Sequence, residues 1–367
     1  MKKQRKTVKR ILIALPLLLL TALIPAAIYL FGGENFPLWE TQNSPSSDLP
    51  EDTASKESEI PVPGFLDSLS PAKKEPVLDE GDTDLFPLLD LSTGETLQVS
   101  RNALIPAAIA CEMDLSAPKE ALKAQAVACY TLFFRKRAAG EVITCDSENW
   151  QVWVPEEKMR ERWGEDFEDH FAVLREAADQ VSGQLLEWGG APILAAYFAI
   201  SSGATESSEN VWGGKLPYLQ AVASPGDCFS SGYLSSVTLS PEEFRNAAVT
   251  FLTEAAPDFS GDPAGWLTAI ETTPSGYVSS ASLGGVPVSG VDLRSAFSLR
   301  SACFQAEYDG ETFQFTVEGW GHGVGMSQAG AFFLAKRGKT YREILSYYYP
   351  GTVLTFPDER PTGGTGS

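Results

Sequence analysis

Glu112 is an acid set among apolar neighbours, Ile109-Ala-Cys-Glu-Met113, at the end of a short predicted helix over residues 102–112. Burial raises a carboxyl pKa, and an acid that keeps its proton near neutral pH can give it to a leaving oxygen. The alternative is a helix-terminal or ion-paired glutamate. Lys123 and Gln125 lie on a second predicted helix, from Pro118 to about Ala139, with hardly any polar face. Lys123 either holds an anionic group, orients Glu112, or snorkels outward from the first turn. A buried Gln125 needs a partner.

Two further segments carry chemistry. Ser201-Ser-Gly-Ala-Thr-Glu-Ser-Ser-Glu209 follows an apolar strand. A polar loop at a strand end gathers ligand groups, or is simply surface. It contains no G-x-S-x-G, so a serine hydrolase has no support. Gly319-Trp-Gly-His-Gly-Val-Gly-Met-Ser-Gln-Ala-Gly330 presents His322 on a glycine-rich loop with Ser327 and Gln328. Glycine allows left-handed backbone and close approach. The spacing matches neither dinucleotide nor P-loop patterns, which argues against nucleotide binding. A histidine that only fixes the loop is the plainer reading of His322. His170, the other histidine, reads as a surface helix residue. Trp212, Trp320 and the Tyr347-Tyr-Tyr-Pro350 run lie beside polar loops, where sugar rings stack or where aromatics simply pack.

The elements that must position these groups read as a mixture. Residues 86–99 suggest a hairpin about Ser92-Thr-Gly94, and Asp166–Val181 a helix. Gly183–Trp188 and Pro192–Ile200 suggest a second hairpin about Gly189-Gly190. Ser240-Pro-Glu-Glu-Phe244 opens a helix; short strands with glycine turns follow, including Phe304–Tyr308 and Thr312–Val317. Helices near Ser327–Arg337 and Tyr341–Tyr348 close the chain. The fold class is α+β: one mixed domain over residues 86–356, of one lobe or two.

The 367 residues are 43% hydrophobic and 11% aromatic, enough for a sizeable core. A formal net charge of −20 argues against a nucleic-acid partner. Residues 1–10 hold six bases and no acid, so the remainder is more acidic than the whole. Residues 11–31 carry no charge, and at ~1.5 Å per residue they are long enough to span a bilayer. A basic flank before them places the body outside the cytoplasm, as an uncleaved anchor rather than a cleaved signal peptide. Residues 34–85, rich in Pro, Ser, Asp and Glu, read as an extended tether, and 357–367 as a frayed tail. Five cysteines leave at least one thiol free outside the cytoplasm; Cys111 and Cys129 read as core thiols, with one disulfide open among Cys145, Cys228 and Cys303. No CxxC pair suggests a metal, and no cofactor is expected.

Glu112-Met with Glu120-Ala-Leu-Lys-Ala-Gln-Ala-Val-Ala128, the Ser201–Trp212 loop, and Gly319–Ala331 with Gly338-Lys-Thr-Tyr and Ile344–Gly351 together resemble the stage II sporulation protein D family. Departures are Cys129 and Tyr130 where the family usually has Ala-Arg, Ala204 in the central loop, and Asn149-Trp150 for a His-Cys pair that would be a zinc ligand set. The resemblance implies a membrane-anchored lytic transglycosylase, acting on septal peptidoglycan during spore engulfment. Its substrate would be glycan strands stripped of stem peptides, and its partners stage II sporulation proteins P and M. It makes Glu112 the acid/base. The substrate-binding residues expected around it are Lys123, Gln125 and Tyr130 from the long helix, and Tyr197, Ser201, Ser202, Thr205 and Glu206 from the central strand and loop. His322, Ser327 and Gln328 from the glycine-rich loop and Tyr348 from the last helix complete the set. A non-catalytic peptidoglycan-binding scaffold or amidase enhancer is the second expectation; an amidase or peptidase is opposed by the scarcity of histidine.

Overall fold

The computed structural model describes residues 84–356. The expectations for residues 1–10, 11–31 and 357–367, and for nearly all of 34–85, therefore lie outside the described residues. Among the described residues no helix is long and apolar enough to cross a membrane.

β1 (Leu85–Asp90) and β2 (Glu95–Ser100) form the expected hairpin, with every second residue of β1 buried. β3 (Ile143–Cys145) adds in parallel to the other side of β1. Ser100 ends β2 and caps α1 (Arg101–Glu112), its hydroxyl accepting from the Ala103 amide at 3.3 Å. α2 (Lys119–Ala138) is about 30 Å long. It is buried through its middle because α1, α4 (Phe167–Asp179), α8 (Gln328–Lys336) and α9 (Tyr341–Tyr348) surround it. That explains its nearly all-apolar surface. α4 starts after a 3-10 turn at Gly164–Asp166, slightly later than the sequence suggests. α3 (Glu156–Trp163) is an element the sequence pattern does not announce; it is so polar that only Met159 is buried.

The second hairpin is shorter than expected. β4 (Leu185–Trp188) pairs with β5 (Ala191–Pro192), and after one further bond, from Ile193 N to Leu186 O (3.0 Å), the chain leaves. The opposite edge of β4 is taken by β14 (Val353–Thr355). Residues Tyr197–Phe198 instead form β6, which pairs in parallel with β13 (Met326–Ser327). This pairing joins the central loop to the glycine-rich loop. The bridge Ile200–Trp320 and the bond from Glu206 N to Gly323 O (2.7 Å) continue it. The central loop ends in α5 (Ser208–Trp212), whose Trp212 ring lies 5.3 Å from that of His322.

Residues 234–318 gather around a second apolar cluster. α6 (Pro241–Phe251) begins with a Ser240–Glu243 capping box, as its sequence predicts. β7 (Leu234–Leu239), β12 (Phe313–Glu318) and β11 (Phe304–Tyr308) form one antiparallel sheet. β8 (Leu267–Thr272), β9 (Val278–Leu283) and β10 (Val286–Val288) form another. α7 (Gly290–Ala296), a second helix without a clear sequence pattern, packs against β9. Phe244 lies at the centre, stacked 3.9 Å from Phe313 and 4.6 Å from Phe297. The described fold is α+β.

Candidate active site

Glu112 is the last residue of α1, and its side chain is half-buried. Gln328, the first residue of α8, donates Nε2–H to Glu112 Oε2 at 3.3 Å. The Tyr197 hydroxyl, from β6, faces the same carboxylate. Burial pushes the Glu112 pKa upward, and the bonds from Gln328 and Tyr197 pull against it. The C-terminal end of α1 also opposes a negative charge, since its free carbonyls point the same way. The result is an acid that holds its proton to higher pH than an exposed glutamate and stays fixed when it lets go.

β6 and β13 bring this about. Parallel pairing sets Met326 opposite Tyr197 and Ser327 opposite Phe198, so α8 starts beside the end of α1. Ser327 caps α8, accepting from Gly330 N at 3.1 Å. Alternation along β6 sends Tyr197 to Glu112 and Phe198 to the other face, where its ring lies 5.5 Å from His322. The glycines make the pairing feasible. Gly325 has φ +84° and its missing Cβ would sit 2.0 Å from Ala196 O.

The other expected site residues fall into three groups. Gln125 belongs with Glu112 through Cys129 and Tyr197: its Nε2–H donates to Cys129 Sγ (3.3 Å), whose thiol donates to Tyr197 Oη (3.5 Å). Ser201, Ser327 and Tyr348 belong to a buried knot around Asp227. The Asp227 carboxylate accepts from Ser201 N (2.6 Å), Ser327 Oγ (2.5 Å) and Ser224 Oγ (2.9 Å). Tyr348 Oη is 2.7 Å from Ser224 Oγ. Burial pushes the Asp227 pKa up, opposed by those bonds. Sequence reasoning missed Asp227. Its one signal is the turn Ser224-Pro-Gly-Asp227, where an acid so near a proline–glycine pair reads as an ordinary turn former.

The third group surrounds a cleft lined in part by Glu206, Asn210, Trp212, Thr273, Tyr277 and His322. Glu206 is buried, and its carboxylate accepts from Ser207 N (2.7 Å), Asn210 Nδ2 (2.9 Å) and Thr273 Oγ1 (2.5 Å). His322 Nδ1 accepts from Val324 N at 3.1 Å, so its ring proton sits on Nε2. The His322 ring packs between Phe198 and Trp212, 5.5 and 5.3 Å from their centroids. Ser202 Oγ donates to Ser275 O (3.3 Å), and Thr205 Oγ1 accepts from Val222 N (2.9 Å). These two hydroxyls hold the central loop.

Lys123 and Tyr130 are not at this site. Lys123 Nζ bonds Glu120 at 2.6 Å one turn earlier and sits 5.5 Å from the Tyr341 ring. Tyr130 Oη donates to Asp84 Oδ2 at 3.0 Å, on the face of α2 beside Arg101. Burial pushes its hydroxyl up to about 12. α2 turns about 100° per residue, so Cys129 and Tyr130 cannot share a direction.

All five cysteines are free thiols. Cys129, Cys145 and Cys303 are buried, and Cys228 is exposed. Among the described residues no three His, Cys, Asp or Glu side chains cluster as metal ligands.

A family model described as stage II sporulation protein matches residues 92–188, which carry Glu112, Gln125 and Cys129. Stage II sporulation protein D of Bacillus amyloliquefaciens is 32% identical over 291 residues, 77% of this chain and 82% of that protein. Its namesake from Bacillus subtilis is 33% identical over 259 residues, 68% of this chain and 73% of that one. The amidase enhancer of Bacillus subtilis is 28% identical over 290 residues, 66% of this chain but 39% of its own length. With two such relatives covering most of its length, and with the glutamate and glycine-rich loop in contact, the chain belongs to the stage II sporulation protein D family.

Proposed function

We propose that this protein acts on peptidoglycan in sporulation, as a lytic transglycosylase with Glu112 as its single acid/base. Family membership supports the coarse role. The observation that carries the finer one is the Glu112 carboxyl, half-buried and held by Gln328 and Tyr197. Protonated Glu112 gives its proton to the glycosidic oxygen between N-acetylmuramic acid and N-acetylglucosamine, and the bond to the muramyl C1 breaks. The carboxylate then removes the proton from the C6 hydroxyl of the same muramyl residue as O6 bonds to C1. The products are a free C4 hydroxyl and a 1,6-anhydro end, and Glu112 is protonated again. Because the nucleophile belongs to the substrate, no second carboxylate is needed to activate water. Residues 11–31 would anchor the enzyme in the membrane with the described domain outside.

The test is incubation of the full-length protein with glycan strands stripped of stem peptides, followed by mass spectrometry. The expected products carry 1,6-anhydromuramyl ends. Reducing muramic ends would mean hydrolysis and would sink the transglycosylase assignment.

The relative named amidase enhancer favours a second reading, a glycan-binding scaffold that stimulates an amidase. It predicts glycan binding with no new chain ends in the same assay.

A further inference from the structure

The hydrogen bonds behind Glu112 have a direction. Gln125 is fully buried on α2, and its Nε2–H donates to Cys129 Sγ at 3.3 Å. A thiol whose sulfur accepts there has its own hydrogen left to give, and Cys129 gives it to Tyr197 Oη at 3.5 Å. A phenol that accepts one bond keeps its O–H to give, and the acceptor that Tyr197 faces is the Glu112 carboxylate. Donors in such a row polarise one another, so each bond strengthens the next. The Cys129 thiol is fully buried and stays protonated, burial pushing it up to about 12, so it serves here as a donor and not as a nucleophile.

We propose that Gln125 and Cys129 are positioning residues for Glu112, fixing through Tyr197 the direction and strength of the hydrogen bond that its carboxylate receives. The titratable groups facing this row are Cys111 beside Glu112 on α1, Tyr349 after α9, and Glu112 itself. Cys111 is in turn near Cys145 of β3 and Arg162 of α3. Tyr349 is itself engaged, donating to Ala196 O at 2.7 Å. The inference deepens the reading of Glu112 as the acid.

The test needs no substrate, so it fails separately from that reading. The full-length chain is labelled with carboxyl-carbon-13 glutamate, and the Glu112 resonance is identified by its loss in Glu112→Gln. Its titration is followed in Tyr197→Phe, Cys129→Ala, Cys129→Ser and Gln125→Met. A bond to the charged form lowers a carboxyl pKa, so weakening that bond raises it. Tyr197→Phe moves the titration up most, and Cys129→Ala moves it up less. Cys129→Ser leaves a similar hole but keeps an O–H donor, and so returns the titration toward wild type. Gln125→Met moves it up without touching the thiol, and carries the test if the Cys129 variants do not fold. Identical titrations for Cys129→Ala and Cys129→Ser would overturn the proposal. So would a wild-type titration in Gln125→Met, or a downward shift in any of these variants.

Discussion

Gln328 Nε2 lies 3.3 Å from Glu112 Oε2, although 216 residues separate them in sequence. The bond ties the end of α1 to the start of α8, and so ties the acid to the glycine-rich loop. A hydrogen bond to a charged acceptor contributes about 1.5–3 kcal/mol. Gln328→Leu should therefore lower turnover of peptide-free glycan about tenfold or more. It should also move the alkaline limb of the pH–rate profile upward, because the ionised carboxylate loses a donor. An unchanged limb would show that Gln328 does not act on the charge of Glu112.

Glu112→Gln removes the proton donor and should reduce formation of 1,6-anhydro ends by about 10²–10⁴-fold. It should also change how stability depends on pH. The folded-state pKa of Glu112 is raised by burial. Below the ordinary glutamate range the carboxyl is neutral folded or unfolded and costs nothing extra. As pH rises from there through the raised value, the unfolded chain releases its proton more readily and the fold loses stability. The melting temperature of Glu112→Gln should match wild type near pH 4 and exceed it near pH 8. Thermal melts across that range decide it.

The long helices are legible in sequence because they are either nearly all apolar or amphipathic. Glu112, Tyr197 and Gln328 are legible as candidates, but not the contacts joining them. Those depend on β6 pairing with β13 for two residues each, too short to leave a periodic pattern. Lys123 misleads because its partner Glu120 lies on the same helix, one turn back, a pairing that leaves it nothing for Glu112. Asp227 is invisible because its donors come from three separate stretches, at residues 201, 224 and 327.

Asp227→Asn tests that knot. The carboxylate accepts one bond at Oδ1 and two at Oδ2. An amide puts an NH₂ against at least one of these donors, leaving it unpaired in the interior. A loss of about 2–4 kcal/mol is expected. Denaturant unfolding measures it, and a loss under about 0.5 kcal/mol would mean that the knot relaxes freely.

Gly325 and Gly338 separate crowding from backbone strain. Both have left-handed φ, +84° and +82°. A Cβ on Gly338 meets nothing within 4 Å, whereas one on Gly325 would lie 2.0 Å from Ala196 O. Gly338→Ala should cost about 1 kcal/mol, the strain alone. Gly325→Ala should cost about 2–4 kcal/mol and lower the melting temperature by about 5–10 °C. It pushes β13 off β6, so activity should fall further than stability accounts for. Similar losses for the two variants would deny the close approach its role.

Tyr130 and Lys123 both lie on α2, yet their side chains bond Asp84 and Glu120 and not Glu112. Tyr130→Phe removes a bond to Asp84, which keeps its ion pairs with Arg101 and Arg137. That should cost about 1 kcal/mol. Lys123→Met removes an i,i+3 ion pair with Glu120, about 0.3–1 kcal/mol. Neither side chain is bonded to Glu112, Tyr197 or Gln328, so both variants should turn over glycan within about twofold of wild type. A tenfold loss in Tyr130→Phe at unchanged stability would mean that the substrate reaches the Asp84 face of α2. It would move the glycan site to a side of the helix about 100° round from Cys129.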